Sequence, residues 1–335
     1  MEKIKKIFLV LKQDLLLARH FGIKIAFIDF IRSFILRGKS EFGKKLEFYK
    51  YENIKKWLSK KYGYIIEEYK NNEFSQLECS IKEDAPIWIF WWQGIEAAPK
   101  VVKMCIERIK KYSGTHPVII LTKHNYSKYV DLPEYIIEKV NKKYFTITLF
   151  SDVLRVALLY KHGGIWMDAT LYLTNNISDE LCKYSFYTIR HETNSDYHVC
   201  KGLWTGFFLA ANKGNIAFKY FRDIFFEYLK NENMLICYLL IDCIIALGYE
   251  NIPIIHQMIE DVPKNNIKVF DLQTILDKEY SSEIYEDMLR KSKIYKLTYR
   301  IKFPSIRKGK LTFYGYLMNN SNQMLDDYNR NFKYN

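Results

Sequence analysis

The residues best suited to chemistry lie in one stretch, SDVLRVALLYKHGGIWMDATLYL, which runs from Ser151 to Leu173. Asp152 and Arg155 are three positions apart, so a helix places them on the same face. A glycine pair is expected to end that helix, and a short strand then delivers Asp168 at its carboxyl end. A carboxylate at that edge of a sheet lies where a metal-bound diphosphate can be held. The stretch therefore predicts a site for such a ligand.

Each of these residues also has a structural interpretation. Asp152 at a helix start would interact with the helix dipole and pair with Arg155. The pair Gly163 and Gly164 would cap the end of the helix, a role compatible with a functional one. Asp168 would be an ordinary turn residue at the end of a strand. Their combination in one short stretch favours the functional interpretation.

The elements that position this stretch begin upstream of it. The apolar run Ile87–Trp92 predicts a buried strand, Pro99–Lys111 has the apolar spacing of a helix, and Pro117–Leu121 predicts a second buried strand. This order predicts a βαβ unit in a parallel sheet. A nucleotide-type ligand is expected at the carboxyl ends of such strands.

Further elements are predicted from Ser151 onward. Ser151 is expected as the N-cap of a helix that ends at His162, because serine is favoured at that position. The other predicted elements are strands over Ile165–Met167 and Phe207–Ala211, helices over Asn215–Lys230 and Leu235–Leu247, and an apolar-aromatic patch over Ile294–Ile301.

The composition is that of a globular chain with a sizeable core. Of the 335 residues, 49% are hydrophobic and 27% are charged, which excludes disorder of the whole chain. The formal net charge of +13 predicts an anionic partner: nucleic acid, a membrane surface or a phosphorylated substrate. No helix-turn-helix, RRM or zinc-finger pattern is present, so nucleic acid is not expected as the partner.

The cysteines show no CxxC spacing, which makes a structural zinc site or a thioredoxin-like motif unexpected. A chain of this length needs no disulfides to fold, so free thiols in a reducing compartment are expected. With no cleavable signal and no long apolar run, the predicted location is the cytoplasm. The cysteines are Cys79, Cys105, Cys182, Cys200, Cys237 and Cys243.

The N-terminal region, residues 1–80, is basic and almost free of turn residues. Within it, Ile23–Leu36 predicts an amphipathic helix. One interpretation packs this helix on the main domain; the other lays it on anionic lipid, with flanking basic residues supplying charge. Those basic residues are Lys3, Lys5, Lys6, Arg32, Arg37 and Lys39.

The pattern S-D-x-x-R-x-x-x-L-x-x-x-G-G-I-W-x-D-A-T resembles the capsular polysaccharide synthesis proteins. These are relatives of glycosyltransferase family 32 and, more distantly, of the glucosylating clostridial toxins. The upstream run IWIFWWQGIEAAPKVVKMCIERIKK and the downstream IYKLTYR look similar to the same family, so the resemblance covers roughly residues 85–300.

The resemblance implies an α/β fold of GT-A type: a Rossmann-like domain that binds a nucleotide sugar, with a helical N-terminal extension. With the basic N-terminal region and the polar C-terminus, the predicted organisation is a helical basic region over 1–80, the GT-A glycosyltransferase domain over 81–318, and a loose tail over 319–335. Enzymes of this kind retain the anomeric configuration of the sugar.

The resemblance also implies roles for individual residues. Asp168 matches the first Asp of a D-x-D motif, and would bind Mn²⁺ or Mg²⁺ that bridges the donor diphosphate. The second Asp is replaced by Thr170, a poorer ligand for such a cation. Asp168 and Asp242, the latter near the acceptor side, are the predicted catalytic residues. The predicted donor-binding residues are Trp88, Trp91, Asp152, Arg155, Gly164, Asp168, Thr170 and Lys296.

The implied function is a retaining glycosyltransferase of capsular or other surface polysaccharide biosynthesis. It would move a sugar from a nucleotide-sugar donor to a glycan acceptor, which is expected to be a lipid-linked oligosaccharide. The enzyme would be cytoplasmic and would act at the inner face of the cell membrane. The alternative is a non-catalytic glycan-assembly or membrane-adaptor protein on the same fold, which the neutral Thr170 favours.

Overall fold

The fold combines helices with a central five-stranded sheet and two small ribbons, as seen in a computed structural model that describes residues 2–34, 40–71, 80–191 and 198–320. The helices are α1 (Glu2–Phe21), α2 (Ile23–Phe34), α3 (Glu41–Asn71), α4 (Lys100–Lys111), α5 (Glu134–Asn141), α6 (Ile147–His162), α7 (Ile216–Asn231), α8 (Leu240–Asn251), α9 (Pro253–Glu260), α10 (Asp271–Ile275) and α11 (Ser282–Lys291). The strands are β1 (Ile87–Phe90), β2 (Val118–Leu121), β3 (Gly164–Met167), β4 (Leu171–Leu173), β5 (Phe186–Thr188), β6 (Phe208–Ala211), β7 (Ile294–Lys296), β8 (Ile306–Arg307) and β9 (Lys310–Leu311).

The central sheet is mixed, with the strand order β2-β1-β3-β6-β5. β1 lies between β2 and β3 and pairs in parallel with both, which confirms the predicted βαβ unit. β6 runs antiparallel to β3 and β5. Because β1 and β3 are parallel, their carboxyl ends open at one edge of the sheet, and Trp91 and Asp168 follow them directly.

Helix α6 begins one turn earlier than the sequence indicated. Oγ1 of Thr146 accepts a hydrogen bond from the backbone N–H of Leu149 at 3.2 Å, so Thr146 is the N-cap. The prediction that Ser151 caps this helix is wrong, and Asp152 lies in the helix interior rather than in its first turn. The extra turn buries Leu149 and Phe150 in the core.

The glycine pair allows α6 to turn directly into β3. Gly163 and Gly164 have φ angles of +70° and +105°, and the N–H of Gly163 still bonds to the carbonyl of Leu159. A Cβ atom on Gly164 would lie 2.4 Å from the carbonyl oxygen of Pro86, just before β1. Glycine is therefore required at position 164 for the close approach of these two backbone segments.

A short antiparallel ribbon of β4 and β7 brings the C-terminal part of the chain to the end of β3. Leu171 pairs with Lys296 in its register, and the N–H of Leu297 donates to the carbonyl of Thr170 at 3.0 Å. The backbone N–H of Lys296 also donates to the carbonyl of Val269 at 2.7 Å. The ribbon thus fixes Lys296 beside Thr170.

The N-terminal helices pack on the main body of the protein. Ile25 and Ala26 of α2 are 3% and 4% exposed, and Tyr62 of α3 belongs to the same hydrophobic core as Trp166 of β3. These contacts agree with the packed interpretation of α2. The proposed domain boundaries at residues 80 and 318 stay predictions.

The basic residues assigned to a lipid surface divide into two groups. Arg32 is buried and its guanidinium lies 3.4 Å from the carboxylate of Glu47, so it does not face lipid. The side chains of Lys3, Lys5 and Lys6 and all of Arg37 and Lys39 lie outside the described residues. In the described part of the chain, no helix has the length and hydropathy needed to cross a bilayer.

The cysteines that the structure describes are free thiols, as predicted. Cys79 and the predicted tail from residue 321 to residue 335 lie outside the described residues.

Candidate functional site

A cleft of about 640 Å³ opens at the carboxyl ends of β1 and β3. Its walls come from the segment after β1, from α6, from the turn after β3 and from the segment that includes and follows the end of β7. The lining residues include Trp91, Trp92, Gln93, Ser151, Arg155, Trp166, Asp168, Thr170, Tyr238, Gln273, Lys296, Thr298, Tyr299 and Arg300. This is the edge of the sheet at which the sequence predicted a ligand.

Asp168 lies in the cleft with both carboxylate oxygens engaged. Oδ1 accepts hydrogen bonds from the indole Nε1 of Trp166 at 3.1 Å and from Nη2 of Arg155 at 3.3 Å. Oδ2 accepts from Nζ of Lys296 at 2.7 Å. The side chain is 30% exposed. Asp168 is therefore held by two cations while part of it still faces the cleft.

Lys296 joins the two outer residues of the Asp-Ala-Thr triplet. Its Nζ lies 2.7 Å from Oδ2 of Asp168 and 2.7 Å from Oγ1 of Thr170. The ammonium also lies 5.1 Å from the centre of the Phe207 ring, within the range of a cation–π contact. The side chain is 21% exposed, so a ligand in the cleft can reach it.

Arg155 connects the cleft to a buried carboxylate. Its Nη2 lies 3.3 Å from Oδ1 of Asp152 and 3.3 Å from Oδ1 of Asp168. The guanidinium lies over the indole of Trp166, 4.9 Å from the ring centre. The predicted helical spacing thus brings Asp152 and Arg155 together. Arg155 lines the cleft, while Asp152 supports it from behind.

The carboxylates of this region differ in their acidity. Burial opposes ionisation of Asp168, but the charges of Lys296 and Arg155 outweigh it and hold its pKa below the usual range. Burial raises the pKa of Asp152 to about 7, against the opposing charge of Arg155. Burial likewise raises the pKa of Asp242 to about 6, although a hydrogen bond from Trp204 opposes the shift. Asp168 is therefore the firmly ionised member.

The tryptophans near β1 divide between core and cleft. Trp88 is 2% exposed, and its indole Nε1 donates to the carbonyl of Gly163 at 2.9 Å. Trp91 and Trp92 follow the end of the strand and line the cleft, with Trp91 packed edge-on against Tyr299. The structure thus places Trp91 where a ligand can contact it and places Trp88 in the core.

Two other predicted site residues do not line the cleft. Asp242 in α8 is buried, and its Oδ1 accepts a hydrogen bond from the indole of Trp204 at 2.9 Å. Gly164 is buried at the start of β3, where its contribution is the close backbone approach described above. The geometry therefore gives both residues supporting positions.

The amino-acid sequence from residue 36 to residue 317 matches the capsular polysaccharide synthesis protein family, a span that includes every residue of the cleft. The chain belongs to this family. The helices α1 and α2 lie before the matched span. No curated protein matches the chain.

One solved structure that the chain resembles is named "PaToxG Glycosyltransferase". The similarity covers 77% of this chain and 100% of that one, with 13% sequence identity and a TM-score of 0.40.

The residues around Asp168 do not fit the predicted divalent cation. Mg²⁺ and Mn²⁺ favour several oxygen ligands, with carboxylates among them. Here both carboxylate oxygens of Asp168 and the hydroxyl of Thr170 already accept hydrogen bonds from cationic side chains. Arg155 donates to Oδ1 of Asp168, and Lys296 donates to Oδ2 of Asp168 and to Thr170. Among the described residues, no group of three or more His, Cys, Asp or Glu side chains could hold a metal. The Mn²⁺ or Mg²⁺ site at Asp168 stays a prediction that this set of side chains does not support.

Several residues of the cleft were missed by the sequence reasoning. Thr298, Tyr299 and Arg300 lie in the IYKLTYR run, from which only Lys296 was singled out. The resemblance of that run to the family could therefore have identified these three residues as part of the site. Tyr238 lies just before α8 and Gln273 lies in α10, and no motif in the sequence marks either residue as part of a site. Only the folded chain brings them to the cleft.

Proposed function

We propose that this member of the capsular polysaccharide synthesis protein family is a retaining glycosyltransferase. It moves a sugar from a nucleotide-sugar donor to a glycan acceptor, a lipid-linked oligosaccharide, during assembly of a surface polysaccharide. Membership of the family supports the pathway. The cleft supports the reaction, because it lies at the carboxyl ends of parallel strands, where α/β folds bind nucleotides.

The observation that carries the proposal is the connected set Arg155, Asp168 and Lys296 in the cleft. Two cationic side chains suit the diphosphate of a nucleotide sugar, and one ionised carboxylate suits the hydroxyls of its sugar. Among the described residues that line the cleft, Asp168 is the only carboxylate. With both its oxygens engaged, Asp168 is better placed to orient the sugar than to attack it.

The remaining cleft residues complete this assignment. Trp91, Trp92 and Tyr299 offer aromatic surface for the base of the nucleotide. Arg300 is exposed at the same opening and adds a third positive charge to attract an anionic donor. Asp152 pairs with Arg155 from behind and holds its guanidinium toward the cleft.

The proposed transfer is a substitution at the anomeric carbon. The bond from that carbon to the β-phosphate oxygen breaks, and the oxygen keeps the electron pair. The acceptor oxygen bonds to the carbon on the same face, and the proton of the acceptor hydroxyl passes to the departing diphosphate. Negative charge develops on that diphosphate, and a positive side chain fixed beside it lowers the barrier.

The helices α1 and α2 provide a surface for a lipid-linked acceptor. Leu15, Ile23 and Phe27 are 70%, 77% and 61% exposed. The basic side chains of Lys12 and Lys24 are exposed nearby in the sequence. Exposed apolar groups combined with cationic ones favour an anionic membrane surface. We infer that this pair of helices docks there, while the buried face of α2 packs on the protein.

A thermal-shift panel of nucleotide sugars tests the proposed function. A donor that binds the folded chain raises its unfolding temperature by mass action, so one base-and-sugar combination is expected to stand out. Release of free sugar from that donor then separates an enzyme from an adaptor protein, which would bind the donor without consuming it. If no nucleotide sugar shifts the unfolding temperature, the proposal is wrong.

A further inference from the structure

We propose that the ammonium of Lys296 takes the position of a divalent cation in this cleft, so that the protein binds the diphosphate of its donor without metal. The inference rests on the proposed function and specifies how that function is carried out. It starts from one contact: Nζ of Lys296 lies 2.7 Å from both Oδ2 of Asp168 and Oγ1 of Thr170. Asp168 is the cation ligand predicted from the sequence, and Thr170 occupies the position of the second Asp of the motif.

The position of Lys296 is set by the backbone. The pairing of β4 with β7 places Lys296 opposite Leu171, and the hydrogen bond from Leu297 to Thr170 closes the ribbon beside the triplet. A second backbone bond ties Lys296 to Val269. A side chain anchored on both sides in this way is preorganised, so little reorganisation is needed when an anion arrives.

The charges around Asp168 favour an anion over a second cation. Arg155 and Lys296 both contact the carboxylate of Asp168, and Arg155 also contacts the carboxylate of Asp152. A divalent cation placed on Asp168 would lie close to both positive groups, and charges of like sign at contact distance repel. A diphosphate beside Lys296 would meet the ammonium of Lys296 and the guanidinium of Arg155, whose combined charge exceeds that of the Asp168 carboxylate.

The chemistry of an ammonium fits the task. An ammonium has three N–H donors, and Asp168 and Thr170 take two of them. The third is left for a phosphate oxygen of the donor. Thr170 then has a defined purpose: its neutral hydroxyl orients Lys296 without adding a negative charge that would repel the diphosphate.

The test uses the full chain and a panel of nucleoside diphosphates, with binding measured by calorimetry in excess EDTA and again with Mn²⁺. The inference predicts that at least one diphosphate binds equally well in both conditions. Lys296→Met is expected to weaken its binding about 10- to 100-fold, the loss of one charge-assisted hydrogen bond. Lys293→Met, which removes an exposed lysine just before β7, is the matched control and should leave binding unchanged.

A second variant keeps the test independent of any folding defect in the first. Lys296→Ala combined with Thr170→Asp removes the ammonium and restores a pair of carboxylates, so it should bind the same diphosphate only when Mn²⁺ is present. Binding by the natural protein that disappears in EDTA and returns with Mn²⁺ would overturn the inference and leave the proposed function standing. No binding of any diphosphate in either condition would overturn both.

Discussion

The ammonium of Lys296 lies 2.7 Å from a carboxylate oxygen of Asp168, although 128 positions separate the two residues in the chain. The contact joins the last strand of the β4–β7 ribbon to the turn after β3. Because the pair lines the cleft together with Arg155, changes at any of these side chains are expected to act on the donor.

Replacement of Asp168 by Asn is expected to reduce turnover of the donor by roughly 100-fold, the scale for loss of one strong electrostatic group. The amide keeps the shape of the side chain but removes the charge that orients Lys296 and Arg155. Since Asp168 is 30% exposed, the unfolding temperature should change little. Steady-state rates and thermal melts of the variant and the natural protein measure the two effects. Turnover within a few-fold of that of the natural protein would contradict the assignment of Asp168 to the site.

Replacement of Arg155 by Ala is expected to affect stability as well as activity. The side chain is buried between Asp152 and Asp168, and its removal takes away the charge that opposes protonation of Asp152. Asp152 then takes up a proton and remains buried without its hydrogen-bonding partner, which costs about 1–3 kcal/mol in the free energy of unfolding. Urea unfolding of the natural protein, of Arg155→Ala and of Arg155→Lys measures this loss, and the Lys variant is the control that keeps the positive charge. A loss below about 1 kcal/mol would show that the pair contributes like an exposed one.

The raised pKa of Asp152 predicts a dependence of stability on pH. The folded protein holds the proton more tightly than the unfolded chain, because burial raises this pKa from 3.8 to about 7. Folding is therefore favoured at low pH, and this contribution is lost as pH rises through that window, by at most about 1.4 kcal/mol per pH unit.

Asp152→Asn is the control for this pH dependence, since a neutral amide does not titrate. The free energy of unfolding of the natural protein should fall relative to that of Asp152→Asn as pH rises from about 5 to about 7. Chemical denaturation of the two proteins at matched pH values makes the comparison. Parallel curves across that range would mean that Asp152 titrates as it does in water.

Replacement of two tryptophans three positions apart is expected to have different effects, one on stability and the other on donor binding. Trp88→Ala removes a core side chain that is 2% exposed, and should lower the free energy of unfolding by about 3–5 kcal/mol. Trp91→Ala opens the wall of the cleft, and should weaken binding of the donor while the fold is kept. Calorimetric donor binding and urea melts of both variants separate these roles. A donor defect confined to Trp88→Ala would reverse the assignment.

Binding to anionic vesicles is expected to depend on the exposed apolar residues of α1 and α2. Replacing Leu15, Ile23 and Phe27 by Ser should abolish cosedimentation with phosphatidylserine vesicles, and about 1 M salt should release the natural protein because screening shortens the reach of its charges. Ile267→Ser and Ile284→Ser, at exposed positions elsewhere, are matched controls. Equal recovery on neutral and anionic vesicles would contradict membrane docking.

The local elements of the site could be predicted from the sequence. The run from α6 through the glycine pair to β3 was predictable because each step follows from neighbouring residues: helical spacing, positive φ at glycine and a short apolar strand. The start of α6 was misplaced because two residues that favour caps, Thr146 and Ser151, lie within five positions.

The contacts between distant segments could not be predicted in the same way. The register that places Lys296 beside Thr170 depends on two three-residue strands that are too short to show a pattern. The residues of β1 are all buried, so its sequence shows no alternation that would separate core from cleft. Trp91 reaches the cleft because it follows the end of the strand, a boundary that the apolar run to Trp92 conceals.

The most direct test of the central claim measures the release of nucleoside diphosphate from a panel of nucleotide sugars in the absence of acceptor. The natural protein and the Asp168→Asn variant are compared in the same assay. A glycosyltransferase lets water replace the missing acceptor at a low rate, so one nucleotide sugar should yield free sugar and diphosphate with the natural protein and far less with the variant. Binding of a nucleotide sugar with no release, or release that the variant matches, would contradict the claim that the Arg155–Asp168–Lys296 cleft transfers a sugar.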